Sequence, residues 1–170
     1  MTLGKIETLI ESIKTRFEAH MATGGNLGNI KHLWVGDRPL SGGTDLYPAI
    51  IIDLESGSTT PTTQAYDMGE NTLNMVLNIR LLVNKLTMGT KNSYAQNVMY
   101  DDKGNGLIPL MQYVIYAMMY DSSDNYSPII SSLDKLPMPR FVIRQQSEFF
   151  ECEISYDLAL RYVYEDIIGG

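Results

Sequence analysis

A chain of 170 residues with 44% apolar and 19% charged side chains has the size and composition of a single globular domain, residues 1–170. Folding should bury roughly 70% of the unfolded surface, enough for a core without disulfide or metal staples. The formal charge is −7, and lysines and arginines are scattered singly, so tight nucleic-acid binding, which needs clustered positive charge, has no support. Cys152 is the only cysteine, which excludes an intrachain disulfide; on an apolar strand face it reads as a small buried hydrophobe. No apolar stretch approaches the ~18 residues of a membrane span. Residues 1–21 have helical periodicity and not the pattern of a signal peptide, so a cytosol-like compartment and no membrane are the expectation.

Ile6, Leu9, Ile10, Ile13, Phe17 and Met21 recur at three- and four-residue spacing, with charges between them. This predicts an amphipathic helix, with Thr2 a candidate N-cap and Gly24-Gly25 ending it. His20, at the edge of the stripe, reads as a surface residue. Ile30 to Val35 is a short extended segment, and the turn-rich residues 36–46 read as a loop. Tyr47 to Leu54 reads as a strand whose Ile50-Ile51-Ile52 run implies burial on both faces, with Pro48 at its start. Residues 55–71, rich in Ser, Thr, Gly and Pro, read as a long mobile connection.

Residues 72–84 alternate strictly. Leu73, Met75, Leu77, Ile79, Leu81 and Val83 form one face, and Thr72, Asn74, Asn78, Arg80 and Asn84 stand on the other. Val76 and Leu82 interrupt the polar face and are candidate partner contacts. Residues 85–106 are ambiguous, with a helical turn at Tyr94–Tyr100 and a polar loop at Asp101–Gly106. A second helix, apolar nearly all round, spans about 107–120, with Pro109 in its first turn. Residues 121–127 form another polar loop, and three prolines limit any helix in 128–139. Phe141 to Arg144 reads as a strand and Gln145-Gln146-Ser147 as a turn. A second alternating run, Phe150 to Tyr164, closes the chain. As one strand it would reach about 50 Å at ~3.3 Å per residue. It therefore either bends at a bulge or extends beyond the body as an arm. The order predicts an α+β fold: a mostly antiparallel sheet with two main helices packed on it, plus long loops or an extended strand arm.

Reaction chemistry is sparse. Glu151, Glu153, Ser155, Asp157 and Arg161 share one strand face, which fits a solvated or subunit-facing surface better than a paired-carboxylate site. Asp101 to Gly106 resembles the start of a calcium loop, but Lys103 stands where an oxygen ligand is required and Gln112 where a Glu is required. Gly24 to Gly28 follows a helix, whereas a dinucleotide turn follows a strand. The two histidines, His20 and His32, have no partner motif. No catalytic, cofactor-binding or metal-ligating residue is assigned, and the expectation is a protein that is not an enzyme. Eleven tyrosines and ten methionines suit interfaces and adaptable packing, as in a subunit of an assembly.

The order IETLIESIKTRF, LWVGDRPLSGG, YPAIIIDLE, NMVLNIRLLV, LIPLMQYVIYAMM and CEISYDLALRYVYED resembles the tail-terminator (tail-completion) proteins of long-tailed bacteriophages. The likeness is one of layout, length and acidity and covers nearly the whole chain. It implies a viral structural protein, made in the host cytoplasm and located in the virion, that forms a homohexameric ring. Such a ring caps the tail tube, stops its growth and joins the tail to the head connector or neck protein. DNA passes through the lumen without specific binding, and an acidic ring would repel it. The candidate docking surfaces are residues 36–46, 55–71, 85–106 and 121–127 and the distal end of the last strand. The alternatives are another neck adaptor or tail-tube subunit, or a small enzyme whose unrecognised site joins Glu153 or Asp157 to a histidine.

Overall fold

A computed structural model describes residues 5–22, 24–36, 46–61, 70–84, 106–129, 139–145 and 149–163. Its elements, in chain order, are α1 (Lys5–Met21), β1 (His32–Val35), β2 (Ala49–Pro61), β3 (Glu70–Asn84), α2 (Leu107–Met119), β4 (Arg140–Gln145) and β5 (Phe149–Val163). The strands form one sheet in the order β1-β2-β3-β5-β4. β1 runs parallel to β2, and every other pairing is antiparallel. The fold is therefore α+β with a mostly antiparallel, mixed sheet, as the pattern of the sequence predicts.

One face of the sheet carries the main core. Ile50 and Ile52 of β2, Leu77, Ile79, Leu81 and Val83 of β3 and Cys152, Ile154 and Tyr156 of β5 are buried there. Leu9, Ile13 and Phe17 of α1 and Leu107, Leu110, Val114, Ala117 and Met118 of α2 pack onto them. Each fully buried aliphatic or aromatic side chain contributes about 1.5–3 kcal/mol of transfer free energy. The stripe on α1 is thus the face it buries, while α2, apolar nearly all round, lies against both α1 and the sheet.

The end of α1 follows from its glycines. Gly24 adopts φ +88°, open to glycine at no steric cost. At Gly25 a Cβ would collide with the carbonyl of His20, and that carbonyl accepts the N–H of Leu27 at 3.0 Å. The candidate N-cap Thr2 lies outside the described residues. His20 does not sit on the surface as its place on the stripe's edge implies. It is 2% exposed, with Nε2 2.9 Å from the carbonyl of Tyr120. A carbonyl only accepts, so Nε2 carries the hydrogen. The turn after α2 brings that carbonyl to the ring, and no local pattern in the sequence encodes the meeting.

Two long strands correct the reading of 55–71 as a loop. β2 continues to Pro61 and β3 begins at Glu70. Between Glu55 and Ser58 the register shifts, so Ser56 and Gly57 oppose the single residue Met75, a β-bulge. Pairing then resumes from Ser58↔Asn74 to Pro61↔Asn71. The segment lacks the aliphatics that mark a strand; β3 imposes extension on it by offering an unpaired ladder. Only 62–69 of that stretch lies outside the described residues.

β5 is one strand of 15 residues, paired in continuous register with β3 from Phe149↔Asn84 to Val163↔Glu70. At ~3.3 Å per residue it is about 50 Å long. Its pairing with β3 contains no bulge, so the strand does not bend in the way a bulge would bend it. Beyond Met75 and Leu158 the sheet continues as three strands, residues 58–61, 70–74 and 159–163.

Candidate assembly surfaces

The face of the sheet opposite the helices is polar, and its chemistry is fixed by register. Asp53, Asn78, Ser155 and Arg140 stand side by side across four strands; Ile51, Arg80, Glu153 and Val142 form the next row, and Ala49, Leu82, Glu151 and Arg144 the third. Arg144 forks onto Glu153 at 2.7 and 3.2 Å and lies 3.6 Å from Glu151. The hydrogen bond and charge of Glu153, aided by Glu151, raise the pKa of Arg144 further above its ordinary value. Arg140 donates to Asp157 at 2.8 Å, with both side chains 65% exposed, so that pair is worth well under about 1 kcal/mol. Arg80 lies 3.7 Å from Asp53. The side-chain carbonyl of Asn78 and Nε of Arg80 are buried on this face without a hydrogen-bond partner among the described residues.

Glu151, Glu153 and Asp157 are each engaged by an arginine from β4. His20 lies on the helix side of the sheet and His32 at the β1 edge, so neither converges on them. The side chain of Arg161 is outside the described residues. Cys152 faces the core, and burial pushes its thiol up to about 11, which leaves no reactive thiolate near neutral pH. Among the described residues no group of three His, Cys, Asp or Glu side chains is placed to hold a metal.

One end of the polar face is apolar. Tyr47, Ile51 and Leu82 are buried there beneath Trp34, Leu46 and Phe149. Tyr47 stacks on Phe149 at 5.6 Å, and Trp34 lies flat on His32 at 5.4 Å. Leu82 therefore does not mark a partner contact, because its own chain covers it. It supports the second-face burial that the triple-isoleucine run predicts. Val76 is half-buried between Glu55 and Asp157.

The loop at 121–127 is a tight, well-bonded turn. The Asp121 carboxylate accepts the N–H groups of Ser123 at 2.9 Å and Asn125 at 3.0 Å, an Asx-type arrangement. Hydrogen bonds from Asn125 lead the causes that lower its pKa. Tyr116 stacks on Tyr120 at 4.4 Å and donates its hydroxyl to Asp124 at 3.0 Å. Between this turn and α1 lies a wide, shallow groove of about 460 Å³ bordered by Thr8, Ser12, Thr15, Arg16, Asp121 and Ser122. Of the other candidate docking segments, 37–45 and 85–105 lie outside the described residues.

The surface that sequence reasoning missed is β4. Every residue of this strand is exposed, including Phe141 at 57%, Val142 at 48% and Ile143 at 38%. The strand itself is legible from its apolar run; its place at the sheet edge is not, because that depends on pairing with β5.

The sequence matches no protein-family profile, and no curated protein is significantly similar to it.

Proposed function

We propose that this chain is a structural subunit of a phage tail, a terminator whose copies close into a hexameric ring on the end of the tail tube. The ring stops tube growth and joins the tail to the head connector or neck protein while DNA crosses the lumen unbound. The observation that carries the reading is the open sheet. It has two uncapped edges among the described residues, one of them a wholly exposed strand with three apolar residues between two arginines, and three strands that continue past Met75 and Leu158. An unpaired ladder at a sheet edge is a template for pairing with another chain, and a ring subunit uses it. The face opposite the helices holds Glu151, Glu153 and Asp157 in ion pairs, which suits an interface better than acid–base chemistry.

Electron microscopy with mass measurement on the purified full chain tests the proposal. Sixfold rings that cap tail tubes are expected. Long filaments of the chain alone would replace the terminator with a tube subunit.

A further inference from the structure

Both edges of the sheet belong to short strands, β1 and β4, and the two edges match. We infer that β4 of one copy pairs antiparallel with β1 of the next, so that the sheet continues from subunit to subunit. The inference rests on the ring reading only for the closure of the array, and it names the surface through which copies join.

The match begins with strand direction. β1 and β2 are parallel, and β3, β5 and β4 alternate after them, so β1 and β4 point in opposite senses. A second copy placed beside β4 in the same orientation therefore presents its β1 antiparallel to it. The backbone agrees. Gly36 donates its N–H to the carbonyl of Ile52 at 2.8 Å, so by alternation Leu33 and Val35 turn their N–H and C=O groups toward the open edge. Leu33 and Val35 stand beside Ile50 and Ile52 on the helix face. In β4, which runs the other way at the other edge, the helix-face residues Phe141 and Ile143 are again the outward ones. Hydrogen-bonded pairs Phe141–Val35 and Ile143–Leu33 then join like faces.

Side chains and charge fit the same register. Val35 is 50% exposed and gains Phe141 as a neighbour. On the polar face Val142 falls beside Trp34. Arg140 falls beside Gly36, where no described residue lies within 4 Å of a Cβ position. Among the described residues no side chain then stands between the guanidinium and Asp53 on β2, with Glu55 further along the same face. The cationic edge of one copy thus meets the acidic flank of the next. A twofold pairing of β4 with itself, centred on Val142, would instead set Arg140 opposite Arg144 at both ends, which like charge disfavours. The contact is heterologous, and such contacts build rings when the rotation closes.

Cysteine cross-linking of the full chain tests this pairing. Within one copy, positions 35 and 141 lie four strand spacings apart, about 19 Å, too far for a disulfide. In the proposed pair their Cα atoms are about 5.5 Å apart. Mild oxidation of the Val35→Cys, Phe141→Cys double variant should give a ladder of covalent multimers, while each single variant gives none. Phe141→Lys alone should weaken self-association at least tenfold by sedimentation, with an unchanged circular dichroism spectrum. A ring that forms without the ladder would overturn the edge pairing and leave the terminator reading standing. A ladder from open filaments would support the pairing and remove the ring. A monomer without any ladder, or equal cross-linking of the single variants, would overturn the pairing.

Discussion

Tyr156 lies at the centre of β5, opposite Leu77, fully buried between the sheet and the helices. Among the described residues its hydroxyl has no hydrogen-bond partner, and burial raises its pKa well above the ordinary 10.0. An orphaned buried hydroxyl costs about 1–3 kcal/mol. Tyr156→Phe removes that cost and leaves a void of only about 10 Å³, worth about 0.2 kcal/mol at ~24 cal/mol per Å³. The variant should therefore be more stable by about 1 kcal/mol, raising Tm by about 2–4 °C. A second arm uses pH. A phenol whose pKa is raised on folding contributes stability that is present below its unfolded value near 10.0 and lost as pH rises above it. The parent should weaken above pH ~10 more steeply than the Phe variant, so the gap widens there. Urea denaturation at neutral and alkaline pH measures both effects. A Phe variant destabilised by about 1 kcal/mol or more would refute the reasoning, because it would show that the hydroxyl is hydrogen-bonded.

Other substitutions probe the remaining interactions. His20→Leu should cost about 1–3 kcal/mol by thermal unfolding, because it removes the donor to the Tyr120 carbonyl in a buried place. Arg144→Ala should destabilise by about 1–2 kcal/mol, since it leaves the 10%-exposed Glu151 side chain without its cation. Arg140→Ala, removing a pair exposed on both sides, should cost less than about 0.5 kcal/mol; equal costs at the two positions would contradict the burial argument. Asp121→Ala should lower Tm at neutral pH by undoing the turn after α2. Because folding lowers the pKa of Asp121 from 3.8, its contribution is present above that value and fades as pH falls below it. The difference between parent and variant should shrink in acid.

The periodicities of the sequence determined much of the fold. The helical spacing from Ile6 to Met21 placed α1, and the alternation in 75–83 and 150–158 marked the sheet's buried face. Ile50-Ile51-Ile52 foretold burial on both sides of β2. Such patterns are legible because solvent selects one side of each element, residue by residue. Segments whose conformation comes from a neighbour were not legible. Ser58 to Pro61 are strand because β3 pairs with them. His20 is buried because Tyr120 returns to it, and Leu82 is covered because Tyr47, Trp34 and Phe149 assemble over it. The candidate interface divides in the same way. The sequence alone determined that Phe141, Val142 and Ile143 lie in a strand between two arginines. Only the tertiary structure decided that this strand is an edge, since strand order comes from long-range pairing, which local composition does not encode.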